Sequence, residues 1–238
     1  MKFKNLDARY KEKRQAFSEE TGPRELWSIM DHWPLYCGMA NLGRVFAISD
    51  LLRSTLDVPG HVAEFGLWRG ATTSLLAKTL RIFDPHGSKV IHGFDSFEGL
   101  SAFVPQDDAA KKNKGHYQGS YEELRRMLEL YEIDDDVEFH VGLIEDTLPE
   151  LMEQQAALSF SFVYCDTDLY ESTRLILEHL HPRLSKGGLF VFDEWNDTGY
   201  PGEGLAVNEF LTQHGDKYEV HHVLGARQPS MYIRKIEY

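Results

Sequence analysis

The chain of 238 residues is long enough to form one large α/β domain with a substantial core, and it does not require a second domain. Its 25 lysines and arginines against 38 aspartates and glutamates leave a net charge of −13, which would repel a phosphate backbone, so no nucleic-acid partner is expected. Cys37 and Cys165 allow at most one disulfide, which is typical of a reducing compartment.

The first 58 residues are predicted to form an N-terminal helical extension that acts as a lid on the main domain. Charges are scattered through the N-terminus, which therefore lacks the apolar core of a signal peptide, and no later apolar run approaches about 18 residues. We therefore expect a cytoplasmic protein with no membrane partner. Helical patterns occupy residues 4–20, 24–31 and 39–55, and these helices are also the candidate surface for a homo-oligomer.

Residues 59–238 are predicted to form the main domain, in which strands and helices alternate after Pro59-Gly60. This alternation indicates βαβ units and a mostly parallel sheet. Strands are predicted at residues 61–65, 89–94, 137–141, 159–165 and 188–192, and two more at 218–223 and 230–236 would form an antiparallel hairpin at the sheet edge. Residues 103–119 are rich in charged and turn-forming side chains and are predicted to form a long mobile loop.

The first strand ends in the sequence EFGLWRG, in which Gly66 and Gly70 flank a tight turn before a helix that begins at Ala71. The N-terminus of that helix is open to an anionic or polar ligand. The G-x-x-x-G spacing lacks the third glycine of the nicotinamide fingerprint, and Glu64 would repel a pyrophosphate but favour a ligand that carries an amine and a sulfonium. A plain strand-to-helix turn with no ligand is the alternative.

Asp95 ends the second strand, where an acidic side chain commonly accepts hydrogen bonds from both hydroxyls of a ribose. Capping of the local turn is the alternative role for this carboxylate. Gly142 and Leu143 follow the third strand and would lie beside an adenine in the same cleft. The ends of the first three strands therefore predict one side of a nucleoside-binding cleft.

Acidic side chains follow the fourth and fifth strands, with Asp166 and Asp168 after one and Asp193 and Glu194 after the other. Ligands of an open α/β sheet bind at this edge, and two neighbouring strands that end in carboxylates can surround one Mg²⁺ or Ca²⁺ with oxygen ligands. Two alternatives stay open. Asp168 has the spacing to Glu171 that is typical of a helix N-cap, and Asp193 with Glu194 could be an ordinary solvated strand end.

Taken together, the segments EFGLWRG, GFDSFEGL, GLIEDTLP, DTDLYEST and LSKGG-(x)4-DE resemble the macrocin O-methyltransferase family, over roughly residues 36–236. The members of this family are S-adenosylmethionine-dependent and metal-dependent enzymes that methylate sugar hydroxyls. The resemblance implies a Rossmann-like class I methyltransferase with a seven-stranded, mostly parallel sheet. It places the cofactor across the first three strands and the metal at the ends of the fourth and fifth.

The resemblance also assigns roles to individual residues. Asp166, Asp193 and Glu194 would be ligands of Mg²⁺ or another divalent cation, and Asp168 would be the general base, with Asp166 as the second catalytic residue. The chain departs from the family at one position, because Asp193-Glu194 stands where an Asp-Asp pair is usual. The cofactor is expected to contact Glu64, Gly66, Trp68, Gly70, Thr72, Ser74, Asp95, Ser96, Gly142, Leu143 and Asp166.

The leading functional hypothesis is a divalent-metal-dependent O-methyltransferase that acts on a hydroxyl of a sugar or glycosylated small molecule. A bound ion would orient the acceptor hydroxyl and lower its pKa, and a carboxylate would take its proton. Methylation of a catechol or other phenolic diol on the same fold is the first alternative. A nicotinamide-dependent oxidoreductase is disfavoured by Glu64 and by the missing third glycine, and a non-catalytic module is disfavoured by the four carboxylates at adjacent strand ends.

Overall fold

The computed structural model of the chain describes residues 25–100, 103–195 and 197–237, together with residues 8, 9, 12, 13, 15, 16 and 19. The helix predicted at residues 4–20 therefore lies largely outside the described residues. None of the helices in the described part of the chain is long and apolar enough to cross a membrane.

The described chain forms a seven-stranded sheet with the strand order β3-β2-β1-β4-β5-β7-β6. The pairs from β3 to β5 are parallel, whereas β7 is antiparallel to both β5 and β6. This arrangement confirms the predicted fold, including the antiparallel edge. The strands are β1 (His61–Phe65), β2 (Ile91–Asp95), β3 (Val137–Val141), β4 (Phe160–Cys165), β5 (Leu184–Phe192), β6 (Tyr218–His222) and β7 (Met231–Lys235).

Helices cover both faces of the sheet. They are α1 (Leu26–Asp31), α2 (Trp33–Tyr36), α3 (Met39–Arg53), α4 (Ala71–Phe83), α5 (Tyr121–Leu130), α6 (Ile144–Gln154), α7 (Tyr170–Leu180) and α8 (Pro201–His214). Along β4 the side chains alternate between the two cores: Phe162 and Tyr164 pack with α3, α4 and α5, whereas Val163 and Cys165 pack with α6, α7 and α8. A parallel strand buried on both faces reads as a continuous apolar run, which is why β4 was recognisable in the sequence.

The register of the parallel strands positions the site. Phe65 of β1 is level with Phe94 of β2 and with Cys165 of β4, and Cys165 is level with Phe192 of β5. The residues that follow these strands therefore emerge at one edge of the sheet. The chain also reverses its direction of winding between β1 and β4, and ligands of open α/β sheets bind at such a switch point.

Residues 103–119 are more structured than the predicted mobile loop. The segment contains two 3₁₀ turns, Pro105–Asp107 and Lys111–Asn113, and the Asp107 side chain is fully buried. The two carboxylate oxygens of Asp107 accept hydrogen bonds from the backbone N–H of Tyr170 (2.9 Å) and of Val104 (3.1 Å). A buried carboxylate needs such partners, so the segment is fastened to the start of α7.

Candidate active site

A cavity of about 780 Å³ lies at the carboxyl edge of the sheet, over the β1–β4 switch point. It is continuous from the glycine turn to the acidic ends of β4 and β5. Of the residues predicted to form the site, the cavity is lined by Gly66, Trp68, Thr72, Asp95, Ser96, Gly142, Leu143, Asp166, Asp168, Asp193 and Glu194. The lining does not include Glu64, Gly70 or Ser74.

The glycine turn depends on the close approach of two backbones. Gly66 has φ +86°, and a Cβ atom at this position would lie 2.0 Å from the carbonyl oxygen of Asp166. Gly70 has φ +75° and precedes α4, where a Cβ would collide with the side chain of Leu124. Both φ values lie in the left-handed region that favours glycine. Because Gly66 has no Cβ atom, the turn can pack directly against the end of β4.

Asp95 holds the glycine turn in place. Its Oδ2 accepts hydrogen bonds from the backbone N–H of Leu67 (2.6 Å) and of Trp68 (2.8 Å), and its Oδ1 accepts one from Phe97 (2.6 Å). The turn-fixing role considered for this residue is therefore realised. A carboxylate offers about four lone-pair sites, so three backbone bonds leave acceptor capacity toward the cavity, which Asp95 also lines.

Glu64 is placed differently from the sequence expectation. Its side chain is completely buried, and neither carboxylate oxygen has a hydrogen-bond partner among the described residues. Burial raises the pKa of Glu64 to about 8. At neutral pH the side chain is thus mostly protonated, and it does not present to the cavity the negative charge expected to attract an amine or sulfonium.

The acidic edge gathers carboxylates whose charges repel one another. Burial, and next the neighbouring Asp193, raise the pKa of Asp166 to about 7, while the guanidinium of Arg44 lowers it. Burial followed by the charge of Asp193 raises the pKa of Glu194 to about 8. The pKa of Asp168 is also raised, first by burial and then by Asp166. Such an arrangement favours the binding of a cation or a proton.

Arg44 of α3 brings a positive charge to this edge. Its Nη1 donates a hydrogen bond to Asp193 Oδ1 (2.6 Å), and its Nη2 donates to Asp166 Oδ2 (2.9 Å). The guanidinium also lies 5.7 Å from the centre of the Tyr164 ring, and the Tyr164 hydroxyl donates to Asp193 Oδ1 (2.5 Å). One guanidinium therefore bridges two of the three predicted metal ligands.

Arg44 was not among the residues predicted to form the site. One feature of the sequence could have identified it. Arg44 is four residues from both Ala40 and Ile48, so it lies on the apolar face that this helix packs against the sheet. A charged side chain at a position of this kind needs a buried partner. Without the fold, nothing identified Asp166 and Asp193 as those partners.

Glu194 is held by two other contacts. Its backbone N–H donates to Glu203 Oε1 (2.7 Å), and its Oε1 accepts a hydrogen bond from the side-chain amide of Gln228. The carboxylates of Asp166, Asp193 and Glu194 are not gathered as closely as the three groups of His92, Glu138 and His140, whose ligand atoms lie within 4.8 Å of one another. Glu194 therefore has contacts of its own, apart from the guanidinium that bridges Asp166 and Asp193.

The cluster around His92 is better explained by a hydrogen bond than by a metal. His92 Nδ1 lies 3.1 Å from His140 Nε2, and the two rings are inclined by only 18° with centroids 5.4 Å apart. This near-coplanar arrangement is that of an N–H···N bond, whereas the lone pairs of two metal ligands must converge at a wide angle. Burial lowers the pKa of His92 to about 4, which keeps the pair neutral.

Asp168 does not cap α7. The residue that precedes the helix is Leu169, with no side-chain cap, and the Tyr170 N–H is instead bonded to Asp107. Asp168 has φ +63°, which is uncommon outside glycine and turns its buried side chain into the cavity lining. The capping alternative is therefore not realised, and the carboxylate remains available for chemistry.

Aromatic side chains form part of the cavity wall. The Tyr117 and Tyr200 hydroxyls lie 2.9 Å apart, and the side-chain amide of Asn113 donates to the Tyr200 hydroxyl (2.8 Å). The Trp68 and Tyr117 rings meet edge to face at 5.5 Å. This wall can pack against a sugar or an aromatic ring while offering hydroxyl groups for hydrogen bonding.

A family described as macrocin O-methyltransferase (TylF) matches residues 3–227. An O-methyltransferase from Streptomyces olivaceus named for 8-demethyl-8-(2,3-dimethoxy-alpha-L-rhamnosyl)-tetracenomycin C is 35% identical over 147 residues, which are 58% of this chain and 54% of that protein. The mycinamicin III 3''-O-methyltransferase of Micromonospora griseorubida is 29% identical over 193 residues, covering 76% of this chain and 73% of the relative.

The chain thus spans about half the length of the first of these relatives. Among solved structures, that of CalS11, a calicheamicin methyltransferase, superposes with a TM-score of 0.82 at 23% identity, over 94% of this chain and 91% of that one. That likeness demonstrates a shared fold. Because the family match extends over nearly the whole sequence, the chain belongs to the macrocin O-methyltransferase family.

Proposed function

We propose that this chain is an S-adenosylmethionine-dependent O-methyltransferase that uses a divalent cation, such as Mg²⁺, to methylate a hydroxyl of a sugar or glycosylated small molecule. One observation carries the proposal: a single cavity joins the glycine turn to four acidic side chains at the ends of β4 and β5. Methyl transfer needs a donor and an activated acceptor in one water-poor space, and this cavity offers a separate wall for each.

The donor side is formed by the glycine turn and the ends of β2 and β3. Gly66 lets the turn pack against the backbone of Asp166, and Asp95 has acceptor capacity that the ribose hydroxyls would use. Gly142 and Leu143 also line the cavity, and the adenine would lie beside them. When bound, the cofactor supplies an electrophilic methyl group on a sulfonium centre. Ser96, Trp68 and Thr72 complete this side of the cavity.

The acidic edge fits a divalent cation. Mg²⁺ prefers oxygen ligands and usually binds through one or two carboxylates, with water or substrate oxygens in the other positions. Asp166 and Asp193 both bind the guanidinium of Arg44, so the two carboxylates are close enough to bind one cation together. These two residues would hold the ion, with the buried Glu194 as a further oxygen ligand. A bound ion would orient the acceptor hydroxyl and lower its pKa.

Asp168 is the proposed general base. Its buried carboxylate lines the cavity beside Asp166, and no helix-capping bond occupies it. It would accept the proton that the acceptor hydroxyl loses as the new C–O bond forms. A positioned base of this kind typically contributes about 10²–10⁴-fold to the rate.

The N-terminal segment is proposed to act as a lid, because α3 contributes several side chains to the cavity. Those residues are Ala40, Asn41, Arg44, Val45 and Ile48. A cytoplasmic location and a homo-oligomer formed through the N-terminal helices remain predictions, and the mass of the purified protein measured by light scattering would test the second.

Names of the relatives support a glycosylated acceptor, since one is a methyltransferase named for a rhamnosyl tetracenomycin and another for mycinamicin III. A phenolic diol is the second candidate, because the Tyr117 and Tyr200 rings would also pack against an aromatic ring. A nicotinamide oxidoreductase stays disfavoured, since the turn lacks the third glycine of the nicotinamide fingerprint.

The first test is calorimetric binding of S-adenosylhomocysteine. We expect saturable binding, and no heat at saturating concentration would end the methyltransferase proposal. The second test is transfer of a labelled methyl group to a panel of free sugars, glycosides and catechols. Transfer to glycosides that is lost in EDTA and restored by Mg²⁺ is the expected result. If EDTA leaves the activity unchanged, the proposed metal dependence is wrong. If the methyl group is transferred only to catechols, the acceptor is a phenolic diol rather than a sugar.

A further inference from the structure

Arg44 occupies the place where the proposed reaction needs an ion. Its guanidinium reaches Asp193 at 2.6 Å and Asp166 at 2.9 Å, and α3 holds it above the Tyr164 ring. No step of the proposed methyl transfer uses a side-chain cation between these two carboxylates. The bridge therefore needs its own explanation.

We propose that Arg44 is an exchangeable stand-in for the divalent cation: it holds Asp166 and Asp193 together in the metal-free enzyme, and the ion displaces it on binding. This inference rests on the metal dependence of the proposed function. It adds that the ion competes with a side chain of the protein for Asp166 and Asp193, and that α3 carries this side chain, the guanidinium of Arg44.

Charge and geometry make the two occupants mutually exclusive. The planar guanidinium directs its two nitrogens to separate carboxylates, and it takes up Oδ2 of Asp166 and Oδ1 of Asp193. A divalent cation that used the same oxygens would lie within a few ångströms of the guanidinium carbon. Repulsion between like charges is strong at that distance in a partly buried site. Binding of the ion through these two oxygens would therefore displace the guanidinium.

Glu194 is held in a parallel way by Gln228, whose amide donates to its carboxylate. We call Arg44 and Gln228 the clasp. The elements that carry them touch: a Cβ atom on Gly43 of α3 would lie 2.6 Å from the carbonyl oxygen of Gly225. All three predicted metal ligands are thus engaged by N–H donors from two contacting elements, α3 and the segment before β7.

The clasp couples the ion to the shape of the cavity. Release of Arg44 frees the part of α3 that also places Asn41 and Val45 in the cavity wall. When only a fraction of molecules has an open site, the apparent dissociation constant for the ion increases by the inverse of that fraction. Removal of the guanidinium should therefore tighten metal binding, although it also removes a favourable contact from the folded protein.

The test is calorimetric titration of Mn²⁺ into the full chain at pH 8 without cofactor. We expect Arg44→Met to bind Mn²⁺ about 10-fold or more tightly than the wild type. The matched control is Arg53→Met, at the end of the same helix, where the guanidinium pairs with Asp50 on the surface. This control should bind Mn²⁺ like the wild type. Equal or weaker binding by Arg44→Met would overturn the exchange.

Arg44→Lys keeps the charge and provides the second variant if Arg44→Met does not fold. An ammonium lacks the planar fork that spans two carboxylates, so Mn²⁺ should bind a few-fold more tightly than to the wild type. Unchanged binding by the lysine variant would count against the exchange.

The same titrations distinguish this inference from the proposed function. If neither the wild type nor the variants bind Mn²⁺ while S-adenosylhomocysteine binds, the exchange and the metal dependence both fail and the methyl donor stands. If Arg44→Met tightens Mn²⁺ binding but S-adenosylhomocysteine does not bind, the exchange stands and the methyltransferase proposal fails.

Discussion

The two walls of the cavity are built on different physical principles. On the donor side, Asp95 accepts three backbone hydrogen bonds and Gly66 packs against the backbone of Asp166, so the geometry is set by the main chain. On the acceptor side, Asp166 and Asp193 repel each other and are held together by a guanidinium that arrives from a different part of the chain.

The difference shows which wall is complete without a ligand. Hydrogen bonds within the donor wall are satisfied by the protein, so this wall is ready for a ligand that matches its shape. On the acceptor wall, burial and mutual repulsion raise the pKa values of Asp166, Asp168 and Glu194, so an added cation would stabilise the charged forms of these side chains. We therefore expect substitutions on the two sides to separate cofactor binding from metal binding.

Loss of a carboxylate from the acceptor wall should have the largest effect. Asp193→Asn keeps an oxygen that can accept the Tyr164 hydroxyl but removes one charge and one ligand of the ion. We expect turnover to fall by at least about 10³-fold, because the ion contributes several kcal/mol to stabilising charge in the transition state. S-adenosylhomocysteine affinity, measured by calorimetry, should stay within about threefold of the wild type.

Asp197→Asn is the matched control for that variant. Asp197 accepts a hydrogen bond from the Gly199 N–H and does not line the cavity. The Asp197→Asn variant should leave turnover nearly unchanged. Equal losses in the two variants would show that the acidic character of the region, rather than the Asp193 ligand, is what matters.

Substitution of the proposed base should reduce turnover without changing either binding step. Asp168→Asn preserves the shape of the side chain, and we expect a decrease of about 10²–10³-fold in kcat. Mn²⁺ and S-adenosylhomocysteine affinities should remain close to wild type. Normal turnover of this variant would show that Asp168 is not the general base. A capping role would not explain the residue either, because Asp168 does not cap α7.

A change in the donor wall should give the opposite separation. Asp95→Asn cannot accept hydrogen bonds on both sides of its side chain, so the backbone N–H groups of Leu67 and Trp68 or that of Phe97 lose a partner. We expect about tenfold weaker binding of S-adenosylhomocysteine and unchanged Mn²⁺ binding. Parallel losses in both affinities would mean that the two walls are not independent.

The smallest effect on turnover is expected from Glu64, which belongs to neither wall. Its pKa is raised from the ordinary value of 4.5 to about 8, so the folded protein binds this proton more tightly than the unfolded chain does. The associated stability is fully present below about pH 4.5 and is lost as the pH rises toward about 8. Glu64→Gln cannot ionise and should avoid this loss.

Urea unfolding at pH 5 and pH 8 measures the effect of Glu64. The stability of the wild type should fall more between these pH values than that of Glu64→Gln, by on the order of 1–3 kcal/mol. The exposed Glu153→Gln variant is the control and should follow the wild type. Identical pH dependence of Glu64→Gln and wild type would show that the buried carboxyl is already solvated or paired.

Much of the fold could be read from the chain because its signals are local. The strand patterns of β1, β3 and β4 and the helical pattern that begins at residue 39 predicted the boundaries of these elements to within a residue or two. The position of acidic side chains directly after apolar strands was equally local. Since parallel strands end at a common edge, that position alone predicted that Asp166 and Asp193 would be neighbours.

By itself, then, the sequence determined the order of the elements, the parallel sheet with its antiparallel edge, and the acidic edge beside a glycine turn. Only the tertiary structure decided that Arg44 bridges carboxylates 122 and 149 residues away, and that Asp107 rather than Asp168 binds the N–H of Tyr170. It also decided that Glu64 is buried and mostly protonated. The reason is physical: strand and helix patterns depend on neighbours along the chain, whereas the partner and charge of a buried side chain depend on packing between distant segments.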